Sequence, residues 1–209
     1  KGEDRWGNPS DQCDATFALR VTGSADVTGL PESVTFKPGQ FTRILDGLVM
    51  ASPGEAVIEL VAADGTVAAQ SNPIRAEAAP ALKHFWGDLH GQSGETVGIN
   101  PIREYFEFGR DLAMLDVMSH QANDFQVKNA FWDEINQVTA EFDQPGSFVA
   151  FPGYEWSGNS PTGGDHNVFF RHEGQRMIRS SHALLTDRAD IADDATTTKD
   201  LFEALKDED

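Results

Sequence analysis

Phe85-Trp86-Gly87-Asp88-Leu89-His90-Gly91-Gln92-Ser93 is where the texture of this 209-residue chain changes. The segment reads as a short strand that delivers an imidazole, His90, to its carboxyl end before Gly91. In extended chain, residues two apart face the same way, so Asp88, His90 and Gln92 share a face. His90 and Gln92 could then both reach one metal ion, with Asp88 orienting His90 or a neighbour from behind.

After this segment, short apolar strands alternate with amphipathic helices, the pattern of an α/β arrangement with parallel strands. Asn100-Pro101 predicts a helix start, Asn capping and Pro in the first turn, with the helix running to about Leu112. A strand is expected over 115–120. The clearest helix covers 128–142, with Phe131, Ile135, Val138 and Phe142 on one stripe. Further strands are expected over 148–151 and 167–171. Thr197 and Asp200 form a capping-box pattern before a last helix over 198–206. Four strands and three helices do not close a barrel. The expectation is therefore that chain beyond residue 209, or a second polypeptide, completes the domain.

Before Phe85 the chain is β-rich. Phe17, Leu19 and Val21 alternate with Ala18, Arg20 and Thr22, the period of a half-buried strand. Apolar residues 56–63 and the run 66–70 flank Asp64-Gly65, a hairpin signal. Gly29-Leu30-Pro31, Lys37-Pro38-Gly39 and Ser52-Pro53-Gly54 punctuate the rest at the spacing of a small sandwich. Histidine is absent from the first 80 residues, and no catalytic constellation is visible there. A packing or dimerisation role is favoured over carbohydrate binding, because no aromatic platform stands out. The division expected is residues 1–80, sandwich-like, and residues 81–209, α/β.

Composition narrows the function class. Sixteen basic and 34 acidic residues give a net charge of −18. Such a surface repels phosphate backbones and anionic lipid heads, which argues against nucleic acid and membrane as main partners and leaves a small-molecule substrate. No run approaches the roughly 18 apolar residues of a membrane span. No leader is visible, and Lys1-Gly2-Glu3-Asp4 looks like mid-protein sequence, so the compartment stays open. The lone Cys13 can form no internal disulfide and no thiolate metal cluster.

Three of the six histidines lie at strand ends. His90 closes one strand and His120 the next, while His166 opens another after Gly163-Gly164-Asp165. Glu155 follows the 148–151 strand. In parallel α/β folds, functional side chains gather at the carboxyl ends of strands, and imidazole with carboxylate suits zinc, manganese or iron. His90, His120, Glu155, His166 and Gln92 are therefore the candidate metal ligands. Asp88, Asn123, Asp124, Asp165 and Asn167 are candidates for orienting them or meeting substrate. Taken singly, each residue reads better as a hydrogen-bonded structural group; His90, His120, Glu155 and His166 together, at corresponding ends of successive strands, favour a metal site. For three others the structural reading is preferred: His84 lies at the wrong end of its strand, His172 sits between Arg171 and Glu173, and His182 is in a polar stretch without a partner.

The motifs resemble those of the PHP (polymerase and histidinol phosphatase) superfamily, in particular its DUF3604 branch. Phe85 to Ser93 resembles the first motif, 115–120 the second, Gly153-Tyr154-Glu155-Trp156-Ser157-Gly158 the glutamate motif, and Gly164-Asp165-His166-Asn167-Val168 the following histidine motif. The segments with Asp4-Arg5-Trp6-Gly7-Asn8-Pro9 and Ser71-Asn72-Pro73-Ile74 also resemble that branch. The resemblance implies a distorted (β/α)7 barrel with two or three divalent metals (Zn, Mn or Fe) at its mouth, and phosphoesterase-like hydrolysis by metal-activated hydroxide. It maps His90, His120, Glu155 and His166 onto metal ligands. Two positions depart from the family pattern: the usual His-x-His is His90-Gly91-Gln92, and the usual Asp before the second-motif His is Ser119. The family's last ligands would lie beyond Asp209. Two alternatives stay open, a metal hydrolase acting on C–O or C–N bonds, and a non-catalytic scaffold with a degenerate site. No Walker-type loop is present to support nucleoside triphosphate chemistry.

Overall fold

A computed structural model of the chain describes residues 1–185 and 194–208. It divides into two compact units, Lys1–His84 and Phe85–Asp209, four residues later than the expected break at 80/81.

The first unit is antiparallel. Strands β1 (Ala15–Gly23), β2 (Val27–Thr28), β3 (Ser33–Phe36), β4 (Val49–Met50), β5 (Gly54–Val61), β6 (Val67–Gln70) and β7 (Ile74–Ala76) follow in order. One sheet has the order β3-β1-β5-β6, with β7 also on β5, while β2 and β4 pair separately. In β1, Phe17, Leu19 and Val21 are half-buried and alternate with exposed neighbours, as period-two reading requires. Phe17 meets Phe36 edge-on at 6.5 Å. The Asp64-Gly65 turn joins β5 to β6: Gly65, at φ +86°, donates to Ala62, and Thr66 N–H donates to the Asp64 carboxylate.

The second unit is built on three parallel strands in the order β10-β9-β8, where β8 is Gly87–Gly91, β9 Val117–His120 and β10 Val149–Phe151. Helix α1 (Ile102–Glu107) runs on into a wider π turn over Phe108–Leu112, so the helical stretch ends at the expected residue. Pro101 is its cap rather than its first residue. Helix α2 (Asn129–Phe142) buries Ile135, Val138 and Phe142 of the expected stripe, together with Trp132. Phe106 of α1 stacks on Phe142 at 5.3 Å, and both helices cover one face of the parallel sheet through Met118. A last helix, α3 (Thr198–Ala204), has the anticipated cap, with Asp200 N–H donating to Thr197 Oγ1.

One expectation is corrected. The sequence reading places no strand over 153–156 and a further parallel strand over 167–171. Instead β11 (Gly153–Trp156) and β12 (His166–Phe169) form an antiparallel ribbon. Only residues 157–165 join them, shorter than the dozen or so a parallel crossover takes. Pro152, which lacks an N–H, separates β10 from β11. Past it the chain still runs beside the extension of β9, with Glu155 N–H donating to Ala122 and Asn123 bridging Glu155 in parallel. Tyr154 and Trp156 turn into the core, both fully buried. Their polar tips are satisfied: the Tyr154 hydroxyl accepts from Ile178 N–H, and Trp156 Nε1 donates to Ala195.

Gly153 is where this crossing is tightest. A methyl group there would lie 2.3 Å from Gln121 Nε2 and 2.5 Å from the Val168 carbonyl oxygen, closer than any real contact. Because one of those atoms is backbone of the paired strand, the neighbour cannot swing away. Gly153→Ala is expected to cost about 1–3 kcal/mol, as overpacking does. Urea denaturation reads this directly, and an unchanged midpoint would show that the ribbon relaxes at no cost.

Candidate metal and substrate site

At the carboxyl ends of β8 and β9, residues from these two segments converge on a carboxylate carried by a third, β11. Glu155 is 7% exposed. Its Oε2 accepts hydrogen bonds from Asn123 Nδ2 at 2.7 Å and from Gln92 Nε2 at 3.0 Å. Its Oε1 faces His90 Nε2 at 4.0 Å. Asn123 arrives on the extension of β9, Gln92 just past β8, and Glu155 on β11. Burial pushes the Glu155 carboxyl above its usual range; His90 opposes that shift and Asp165 adds to it.

The tautomer of His90 follows from its other neighbour. Asn167 Nδ2 donates to the Leu89 carbonyl at 3.0 Å, so its Oδ1 is the atom 3.0 Å from His90 Nδ1. An amide oxygen only accepts, so Nδ1 carries a hydrogen, and in the neutral imidazole the lone pair is on Nε2, toward Glu155. This is the arrangement found in metal-ligating histidines, whose second nitrogen is tied to an acceptor. With the ring neutral, two acceptors, Nε2 and Oε1, face each other.

Of the four expected imidazole and carboxylate ligands, only His90 and Glu155 meet. His166 lies opposite Trp156 in the β11–β12 register, and Asn167 opposite Glu155. Directly paired residues share a face and successive residues alternate, so His166 is on the other side of the ribbon from Glu155. Its ring contacts Trp156 at 5.9 Å and Phe202 at 5.8 Å, and its Nδ1 is 3.0 Å from the Gly164 carbonyl. His120 is fully buried, edge-on to Tyr105 at 5.6 Å and Phe131 at 6.0 Å, with Nε2 at 2.8 Å from Ser93 Oγ. Its Nδ1 has no partner among the described residues. The two rings were expected to share a pocket with Glu155 because each marks a strand end. Face, which strand-end position leaves open, sends them elsewhere.

The orienting set divides similarly. Asn123 and Asn167 hold the Glu155 and His90 side chains directly. Asp165 acts on Glu155 through its charge. Asp88 accepts from His90 N–H at 3.0 Å and, after burial, is the next influence raising the Tyr105 hydroxyl. Asp124 is fully buried, and backbone occupies both its oxygens: Oδ1 accepts from Ser157 N–H at 3.0 Å and Oδ2 from Ser180 N–H. Ser119 is interior and links Phe151 to Gln121. His182, read as lacking a partner, pairs through Nδ1 with Asp194. Thr96, which donates to Gln92 Oε1 at 2.7 Å, had no sequence signal.

Among the described residues, no group of three or more His, Cys, Asp or Glu side chains is disposed to hold a metal ion. The fit to a divalent cation is therefore partial and consists of one donor pair. Two donors on a tetrahedral zinc, each about 2.1 Å away, lie about 3.4 Å apart. Closing His90 Nε2 and Glu155 Oε1 from 4.0 Å to that separation is a small side-chain motion for His90, which is exposed. Further donors would have to swing in or come from more polypeptide.

Residues 40–209 match the family described as "Protein of unknown function (DUF3604)". An uncharacterised protein of Chlamydia pneumoniae is 26% identical over 141 residues, 66% of this chain and 22% of the relative. The chain thus spans about a fifth of the length of that curated relative. No solved structure matches. No helix of the described residues is long and apolar enough to cross a membrane.

Burial also sets how His120 titrates. Desolvation penalises its imidazolium and lowers its pKa from 6.5 to about 4. The unfolded chain takes up a proton near 6.5 and the folded chain only near 4. Stability from this group is therefore full above about 6.5 and is lost as pH falls toward 4. At about 1.4 kcal/mol per pH unit, the loss over that window is about 3 kcal/mol. Asp124 runs the other way, since burial raises its pKa, so its contribution falls as pH rises through the folded value. Comparing wild type with His120→Gln cancels the Asp124 contribution. Urea unfolding from pH 7 to pH 4 is expected to cost wild type about 3 kcal/mol more than the variant; parallel pH profiles would refute this account of His120.

Proposed function

This chain belongs to the DUF3604 family, and from the geometry around Glu155 we propose that it carries the front part of a metal-dependent hydrolase site of the PHP type, acting on a small-molecule ester. One observation carries the reading. His90 presents Nε2 to a carboxylate oxygen 4.0 Å away, and Asn167 Oδ1 places the hydrogen of the neutral ring on Nδ1. Two acceptors facing each other repel; a shared divalent cation turns that repulsion into two favourable contacts. The nitrogen and oxygen donor set suits zinc, manganese or iron.

A divalent cation at this point would polarise a substrate oxygen and make water a usable nucleophile near neutral pH. The chain's own residues prepare the position. Asn167 sets the His90 tautomer, Gln92 and Asn123 hold Glu155 Oε2, and burial excludes water from around the carboxylate. The resemblance of the four motifs to the PHP pattern favours phosphate esters over other esters. The donor pair supports a single cation at this point, where the family pattern implies two or three.

A second reading is favoured by the same 4.0 Å contact. A proton on Nε2 would make His90 and Glu155 an ion pair, and the protein would then be a non-catalytic module. Cation binding separates the two. Titration calorimetry with Zn²⁺ and Mn²⁺, and metal analysis of the purified protein, are expected to give one site per chain. Glu155→Gln and His90→Ala are expected to weaken it more than a hundredfold, beyond the roughly 10–100-fold typical of supporting residues. A panel of phosphate monoesters, diesters and carboxylic esters then reads the reaction class. Equal cation affinity in wild type and both variants would rule out this site.

A further inference from the structure

The two ends of the Gln92 side chain are held by different partners, and their chemistry fixes which end faces the site. Glu155 Oε2 lies 3.0 Å from one terminal atom of Gln92. An ionised carboxylate only accepts, so that atom is the amide nitrogen, which has no lone pair to give a metal. The amide oxygen points the other way and accepts from Thr96 Oγ1 at 2.7 Å. Flipping the amide would set its oxygen against the carboxylate, whereas the Thr96 hydroxyl can donate or accept, so the Glu155 contact fixes the orientation. Asn123 presents its own amide nitrogen to the same Oε2 at 2.7 Å.

We propose that Gln92 is a positioning residue and not a metal donor: with Asn123 it forms an amide clamp on Glu155 Oε2, leaving Oε1 and His90 Nε2 as the donor pair for one divalent cation. The assignment rests on the metal-site reading given above and deepens it, because it corrects Gln92 from expected ligand to support. Thr96 belongs to the clamp. Its loop is tied back to the end of β8, with Gly98 N–H and Thr96 N–H both donating to the Ser93 carbonyl, at 2.8 and 3.1 Å. The hydroxyl is thereby held where it keeps the Gln92 oxygen turned away from the site.

The clamp and the ligand assignments predict opposite effects of removing the Thr96 hydroxyl. If Gln92 is a clamp, Thr96→Val loosens it, and the Kd for Mn²⁺ or Zn²⁺ rises a few-fold. If Gln92 is a ligand in waiting, the same change frees its oxygen to turn inward and tightens binding. Gln92→Ala is expected to raise the Kd roughly tenfold, as loss of a supporting residue does. The double variant should bind no more weakly than Gln92→Ala alone, because both act through one contact. Thr96→Ser keeps the hydroxyl and should match wild type, with thermal melts checking that each variant folds. In the Co²⁺-loaded protein, the visible band should keep its position in Gln92→Ala, since the donor atoms are unchanged. Tighter binding by Thr96→Val, or a shifted Co²⁺ band in Gln92→Ala, would overturn the clamp while leaving the metal site standing. No cation binding by the unaltered protein would overturn the proposed function and this inference together.

Discussion

Glu155 carries a carboxylate that is almost wholly out of water, and a buried carboxylate is tolerated only where donors surround it. That requirement organises this end of the second unit. It draws Asn123 from the extension of β9 and Gln92 from the end of β8 onto one oxygen. The same strands supply the backbone ladder that brings these residues within reach, since Glu155 N–H donates to Ala122. The site is therefore made by β-pairing first and by side-chain chemistry second.

The ribbon that carries Glu155 serves two surfaces at once. Tyr154 and Trp156 anchor it in the aromatic core with Trp132 and Phe170, while Glu155 and Asn167 occupy the opposite face. Alternation makes these roles inseparable: a one-residue slip would put the carboxylate into the core and a Trp into the site. His166 shows the other side of the same rule. As partner of Trp156 it is committed to the core face, however close it lies to Asn167 along the chain.

Much of the architecture could be read from local pattern. The Phe17-Leu19-Val21 alternation, the Asp64-Gly65 hairpin, the α2 stripe and the Thr197–Asp200 cap are each set by neighbours within a few residues. The ribbon was harder to see, although Tyr154 and Trp156 flank Glu155 with the period of a strand and the 157–165 connection is too short for a parallel crossover. For the site, strand-end position picked out Glu155, His90, Asn123, Gln92 and Asn167, but it grouped His120 and His166 with them.

What the amino-acid sequence alone determined, then, was the order and type of most elements, the change of texture near residue 84, and the stretch of chain in which polar side chains gather. These depend on turn chemistry and hydrophobic period, which act over short separations. The tertiary structure decided which face each histidine takes, which end of the Gln92 amide meets Glu155, and which tautomer His90 holds. Those depend on strand register and on the donor or acceptor character of atoms 63 to 77 residues apart, and no local pattern encodes them.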